Sequence, residues 1–142
     1  MHRKPEEFLG VDVGDKRIGI ARGSEAARIA EPLKTLDAGE ALDRISAYIS
    51  EHQTDGLVVG LPRNLAGDET AQTEAVRQWV KRAKADISLP FYWQDEALTS
   101  REAYGKAQTS KFKRQTTDEH SIAAAIILQD FLDTPQEQRV RC

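Results

Sequence analysis

Phe8-Leu9-Gly10-Val11-Asp12-Val13-Gly14-Asp15-Lys16-Arg17-Ile18-Gly19-Ile20-Ala21 is the stretch on which the fold turns. A single carboxylate, Asp12, is embedded in an apolar run with strand character, and glycines and a basic pair follow it. Taking a charge out of water costs several kcal/mol unless something pairs with it. Asp12 therefore implies a buried hydrogen-bond partner or a cation. Residues 8–13 read as one strand, Gly14-Asp15 as a tight turn, and residues 17–21 as a second strand.

Working outward, a third strand is expected at 30–36, near a sheet edge because Pro32 interrupts it. Ala41, Leu42, Ile45, Tyr48 and Ile49 recur at helical spacing and predict an amphipathic helix over 40–52. The continuous apolar run at 57–61 is typical of a strand covered on both faces of a parallel sheet. Residues 62–67 form a loop, and Asp68 is the expected N-cap of a helix with Ala71, Ala75, Val76, Trp79, Val80 and Ala83 on its apolar face. A strand at 91–94 ends at Asp95-Glu96, and a short helical segment follows near 100–107. Thr116-Thr117-Asp118-Glu119 has capping-box spacing and opens a last apolar helix over 122–132. The polar residues 136–142 are expected to fray. Leading strands followed by alternating helices and strands indicate an α/β domain, with a mixed five-stranded sheet and helices on both faces. One domain over residues 1–135 and a polar tail over 136–142 account for the chain.

The composition excludes several classes. The chain has 142 residues, 39% hydrophobic and 30% charged, which suits a globular protein with a proper core. No apolar run approaches the roughly 20 residues of a membrane span, and the first residues lack a signal-peptide core, so no membrane partner and a cytoplasmic location are expected. The one cysteine, Cys142, excludes an internal disulfide and a cysteine-based zinc site. The formal net charge of −3 gives no hint of nucleic acid, but Lys106, Lys111, Lys113 and Arg114 fall in a stretch without acids. Ser24, Ser100 and the histidines offer no triad spacing, and there is no P-loop or dinucleotide glycine pattern. Trp79, Tyr92 and Trp93 could stack on bases, yet periodicity puts Trp79 on a buried helix face and strand position points to the core for at least one of Tyr92 and Trp93.

The acids carry the chemistry. Asp12 lies in the first strand, Glu96 at the end of the fifth, and Asp118, Glu119 and His120 at the start of the last helix. In an open α/β sheet such distant residues meet beyond the strand ends. Converging carboxylates suit Mg²⁺ or Mn²⁺, and such a site activates water at a phosphodiester.

Three motifs give the chain a family resemblance. Residues 10–21 resemble G-x-D-x-G-x-K-R-I-G-x-A, Val58-Val59-Gly60-Leu61-Pro62-Arg63-Asn64 resembles V-V-G-L-P-x-N, and Asp95-Glu96-Ala97-Leu98-Thr99-Ser100 resembles D-E-R-L-T-[ST]. Ala123-Ala124-Ala125-Ile126-Ile127-Leu128-Gln129 also looks like this family's last helix. The ordered set resembles the YqgF/RuvX family of RNase H-like nucleases, described as Holliday junction resolvases and pre-16S rRNA nucleases. The resemblance implies an RNase H-like fold and a Mg²⁺- or Mn²⁺-dependent nuclease acting on precursor 16S rRNA in pre-ribosomal particles or on branched DNA, as a monomer or weak homodimer. Asp12 and Glu96 would be catalytic metal ligands, and Lys16, Arg17, Arg63, Lys111, Lys113 and Arg114 nucleic-acid contacts. Two positions depart from the pattern. Ala97 stands where the family has arginine, with Lys16 or Arg101 as replacements. His120 stands where it has its last aspartate, so that either His120 or Asp118 completes the site. These departures also open a different reading, a nucleic-acid- or ribosome-binding protein with impaired catalysis.

Overall fold

β1 (Glu7–Val13) sorts its side chains by parity, as a strand with two covered faces must. Leu9 and Val11 enter one apolar core, while Phe8 enters a second one on the other face. The computed structural model describes residues 6–97 and 119–142. After β1 come β2 (Arg17–Ser24), β3 (Ala30–Asp37), α1 (Ala41–Glu51), β4 (Gly56–Arg63), α2 (Ala71–Asp86), β5 (Phe91–Ala97), α3 (Glu119–Asp133), a 3-10 turn (Gln136–Gln138) and β6 (Val140–Arg141). They form one sheet in the order β3-β2-β1-β4-β5-β6.

β1 runs antiparallel to β2, and β2 to β3. β1, β4 and β5 are mutually parallel, and β6 closes the far edge antiparallel to β5. β3 is an edge strand, and the ladder shifts register at Ile20/Ala21, opposite Pro32, whose nitrogen has no hydrogen to give. α1 and α2 cover one face through Ala41, Ile45, Val76, Trp79, Val80 and Ala83. α3 covers the other through Ala124, Ile127, Leu128, Phe131 and Leu132. Trp79 is buried, and Tyr92 and Trp93 are half-buried on opposite faces of β5.

The structure corrects the sequence reading in three places. α2 is capped by Thr70, not Asp68: Thr70 and Thr73 form a reciprocal capping box. Asp68 is held in the preceding loop, where its N–H donates to Asn64 Oδ1 at 2.9 Å and its carbonyl accepts from the Asn64 N–H at 3.0 Å. The helix therefore starts two residues later. Ala71 and Ala75 are exposed, and Thr73 takes the buried position, its hydroxyl donating to the Pro62 carbonyl at 2.5 Å.

The tail does not fray. β6 adds a sixth strand through Tyr92↔Arg141 and Trp93↔Val140. The Arg139 guanidinium secures it, pairing with Glu25 and donating to the carbonyls of Phe131, Leu132 and Thr134. Among the predicted elements, the helical segment at 100–107 and Thr116 to Asp118 of the capping box lie outside the described residues.

Candidate active site

Because β1, β4 and β5 are parallel, their C-terminal ends open on the same edge of the sheet, which is where such folds place ligands. Asp12 sits near the end of β1 and Glu96 near the end of β5, both buried. The strand between them carries Gly60 and Pro62, and the register pairs Pro62 with Glu96. Asp12, Val13, Gly60, Pro62, Gln72, Glu96 and Ile127 line one cleft of about 50 Å³.

Gly60 keeps that cleft open. A Cβ there would lie 2.5 Å from Ile127 Cδ1 and 3.4 Å from Glu96 Cγ. The nearest obstacle is the movable end of an isoleucine, so Gly60→Ala is expected to fold with a loss of about 1–3 kcal/mol. The added methyl narrows the space beside Glu96, and Mn²⁺ binding measured by calorimetry should weaken with it.

His120 comes from the first turn of α3. Its Nδ1 lies 3.3 Å from Asp12 Oδ2, and when that nitrogen carries its proton it donates to the carboxylate. Two glycines of the opening motif fix this approach. A Cβ on Gly19 would fall 2.0 Å from the His120 carbonyl oxygen, and one on Gly14 3.2 Å from His120 Cε1. α3 thus lies directly on the β1–β2 hairpin. Gln72, in the first turn of α2, completes the rim by donating to the Val13 carbonyl at 3.1 Å. Sequence reading missed Gln72, since a lone glutamine in a polar first turn carries no local signal.

The cationic candidates divide. Lys16 and Arg17 are exposed in and after the β1–β2 turn, where Arg17 bonds Asp37 at 3.0 Å. Arg63 is half-buried at the end of β4, with Nε 3.2 Å from Asp95 Oδ1 and Nη1 3.8 Å from Glu69 Oε2. Its register partner is Ala97, so the guanidinium beside that position comes from the neighbouring strand. Asp118, Lys111, Lys113 and Arg114 lie outside the described residues.

Among the described residues no three ligand-type side chains form a ready-made metal cluster. The donors around the cleft are nevertheless of the right kind. Two buried carboxylates suit Mg²⁺ or Mn²⁺, whose bound waters fill the positions the protein leaves open, and the imidazole beside Asp12 can orient that carboxylate.

The comparisons agree with this architecture. The family model for RuvX, described as Holliday junction resolvase, matches residues 6–134. A protein of Roseiflexus sp. (strain RS-1) named "Putative pre-16S rRNA nuclease" is 38% identical over 141 residues, covering 94% of this chain and 99% of its own. A protein of the same name from Methylobacillus flagellatus is 41% identical over 131 residues, covering 88% and 89%. Among solved structures, T. thermophilus RuvC in complex with Holliday junction substrate superposes with a TM-score of 0.67 at 14% identity, over 96% of this chain and 99% of that one. That likeness shows the fold, which is RNase H-like. Matched from β1 through the end of α3, the chain belongs to the RuvX family.

Proposed function

We propose that this protein is a divalent-metal-dependent nuclease that hydrolyses phosphodiester bonds in structured nucleic acid. Its substrate in this reading is the 5′ end of precursor 16S rRNA, met in pre-ribosomal particles in the cytoplasm. One observation carries the proposal. Asp12 and His120, 108 residues apart in sequence, stand 3.3 Å apart at the C-terminal edge of the parallel strands, and Glu96 lines the same cleft. The relatives' names support the RNA substrate. The family description supports a second one, the four-way DNA junction.

In this mechanism Asp12 and Glu96 would hold Mg²⁺ or Mn²⁺, and His120 would complete the set from α3. When bound, such cations activate a water molecule and offset the charge that builds on the phosphate. The chain's other residues shape the site around them. Ile127 and Pro62 exclude bulk water from one side, and Gln72 fixes the end of β1 by its bond to Val13. Lys16 and Arg17 meet the phosphate backbone beside the cleft, and Lys111, Lys113 and Arg114 are further backbone contacts in this reading.

The test is cleavage of a precursor 16S fragment and of a four-way DNA junction by purified protein with Mn²⁺ or Mg²⁺. Asp12→Asn, run beside it, should lose about 10³-fold in rate, because metal assistance is worth several kcal/mol at about 1.36 kcal/mol per tenfold. The substrate that is cut decides between RNA and DNA. Binding without cleavage of either would overturn the enzyme reading and favour the binding protein with impaired catalysis.

A further inference from the structure

A second concavity, about 510 Å³, lies where β6 stops and the outer edge of β5 runs on. Its size falls within the range of about 300–1,000 Å³ usual for small-molecule sites. Leu61, Arg63, Arg77, Trp93, Gln94 and Asp95 form the end nearest the cleft. Asp95 and Arg63 stand one residue from Glu96 and Pro62 on their strands, so they lie at the same end of the sheet as the catalytic cleft but on its opposite face.

Its charges have an unusual arrangement. Arg77 grips Glu69 with two bonds, Nη2 to Oε2 at 2.8 Å and Nε to Oε1 at 3.1 Å. Arg63 Nη1 approaches the same Oε2 from β4 at 3.8 Å. Two guanidiniums from different elements thus converge on one carboxylate oxygen. Glu69 is itself on the exposed loop before α2 and bridges that helix to β4 through the two arginines. Beneath Arg77, whose guanidinium carbon is 5.4 Å from the ring centroid, lies half-buried Trp93, while Gln94, next along β5, lines the notch from the other face of the strand. Planar guanidiniums that share one anionic oxygen match a phosphate, and an indole matches the face of a base.

We propose that this notch is a subsite for an unpaired nucleotide flanking the scissile phosphate, with Arg63 and Arg77 as a phosphate clamp. Glu69 is the internal anion that bridges the two arginines, Arg63 keeping its bond to Asp95, until the strand displaces it. The base lies against Trp93. This inference rests on the nucleic-acid reading above, but its test requires neither metal nor cleavage.

The sign of one variant sets the idea apart from a purely structural ion-pair network. In EDTA and 0.1 M KCl, binding of a fluorescein-labelled twelve-residue oligouridine would be followed by anisotropy for wild type, Glu69→Gln and Asp68→Asn. The two variants remove the same charge from the same loop, but Asp68 touches neither arginine among the described contacts. Glu69→Gln should tighten binding about fivefold beyond Asp68→Asn and steepen the salt slope by about 0.7, the signature of one added phosphate contact to a single strand.

Arg77→Gln should weaken binding. Unlabelled oligouridine should quench tryptophan emission in the wild type, and the quench should vanish in Trp93→Phe, which leaves only buried Trp79 as background. Equal affinities for Glu69→Gln and Asp68→Asn, or a quench that survives Trp93→Phe, would overturn the subsite. If the oligonucleotide results are as expected but wild type cuts neither substrate, the subsite stands and the nuclease reading falls.

Discussion

Arg139→Ala is expected to lower the unfolding free energy by about 3–5 kcal/mol, the usual loss when one partner of a buried ion pair is removed. The side chains of Arg139 and Glu25 are only 7% and 12% exposed. Arg139 Nη2 also bonds Glu25 Oε1 at 3.0 Å, and Nε reaches the Phe131 and Thr134 carbonyls at 3.2 and 3.1 Å. Truncation therefore strands a carboxylate and leaves carbonyls at the end of α3 without this donor. It also removes the cation lying 4.3 Å over the Phe131 ring.

The pair has a pH signature as well. The hydrogen bond from Arg139 holds the Glu25 carboxyl below its ordinary value of 4.5, against an opposing effect of burial. A depressed carboxyl stabilises the fold fully above the unfolded value and loses that contribution as pH falls through the folded one. Urea midpoints at pH 7, 5, 4 and 3 should fall on the acid side for wild type and fall less for Arg139→Ala. Parallel curves for the two proteins would contradict this role for Glu25.

Gly19→Ala is expected to abolish most of the activity as well as lower stability. Its Cβ would sit 2.0 Å from the carbonyl oxygen and 2.1 Å from the carbonyl carbon of His120, and 2.6 Å from the Ser121 nitrogen. These are backbone atoms of a buried helix, so no side chain can swing aside. α3 must lift from β2, with an overpacking loss of about 1–3 kcal/mol or more. A displacement of about 1 Å at a reacting centre lowers rates on the order of 10²-fold. Gly60→Ala, which clashes with the movable end of Ile127 and only touches Glu96, is the milder comparison. Urea unfolding and cleavage rates measured together should rank Gly19→Ala well below it, and equal values would refute the seating of α3 on Gly19.

The strands from β1 to β5 and the helices were legible because each is written in a local window: an apolar run, a 3.6-residue period, or a proline near an edge. That Asp12 and Glu96 face one edge was legible too, since both stand near the ends of strands with parallel-sheet character. The rest depended on partners far away in sequence. Residues 136–142 look like a fraying tail because their anchor, Glu25, is 114 residues from Arg139. Asp68 looks like an N-cap until Asn64 is seen to hold it in the loop. Of the glycines in the opening motif only Gly14 reads as a turn residue; Gly10 and Gly19 fall inside strands and matter for what lies above them, a Cβ on Gly10 meeting the Ala124 carbonyl oxygen at 2.6 Å. Only the packed helix shows that a missing side chain is the useful feature.

The seat of α3 has a consequence for how this protein can change over time. Gly19 meets carbonyl and amide atoms of residues 120 and 121, which every amino acid possesses. The hairpin therefore locates position 120 without regard to its identity, like a socket that accepts interchangeable tips. Histidine here and aspartate in the family pattern can occupy the same point in space, because the architecture secures the backbone and leaves the chemistry free to be exchanged.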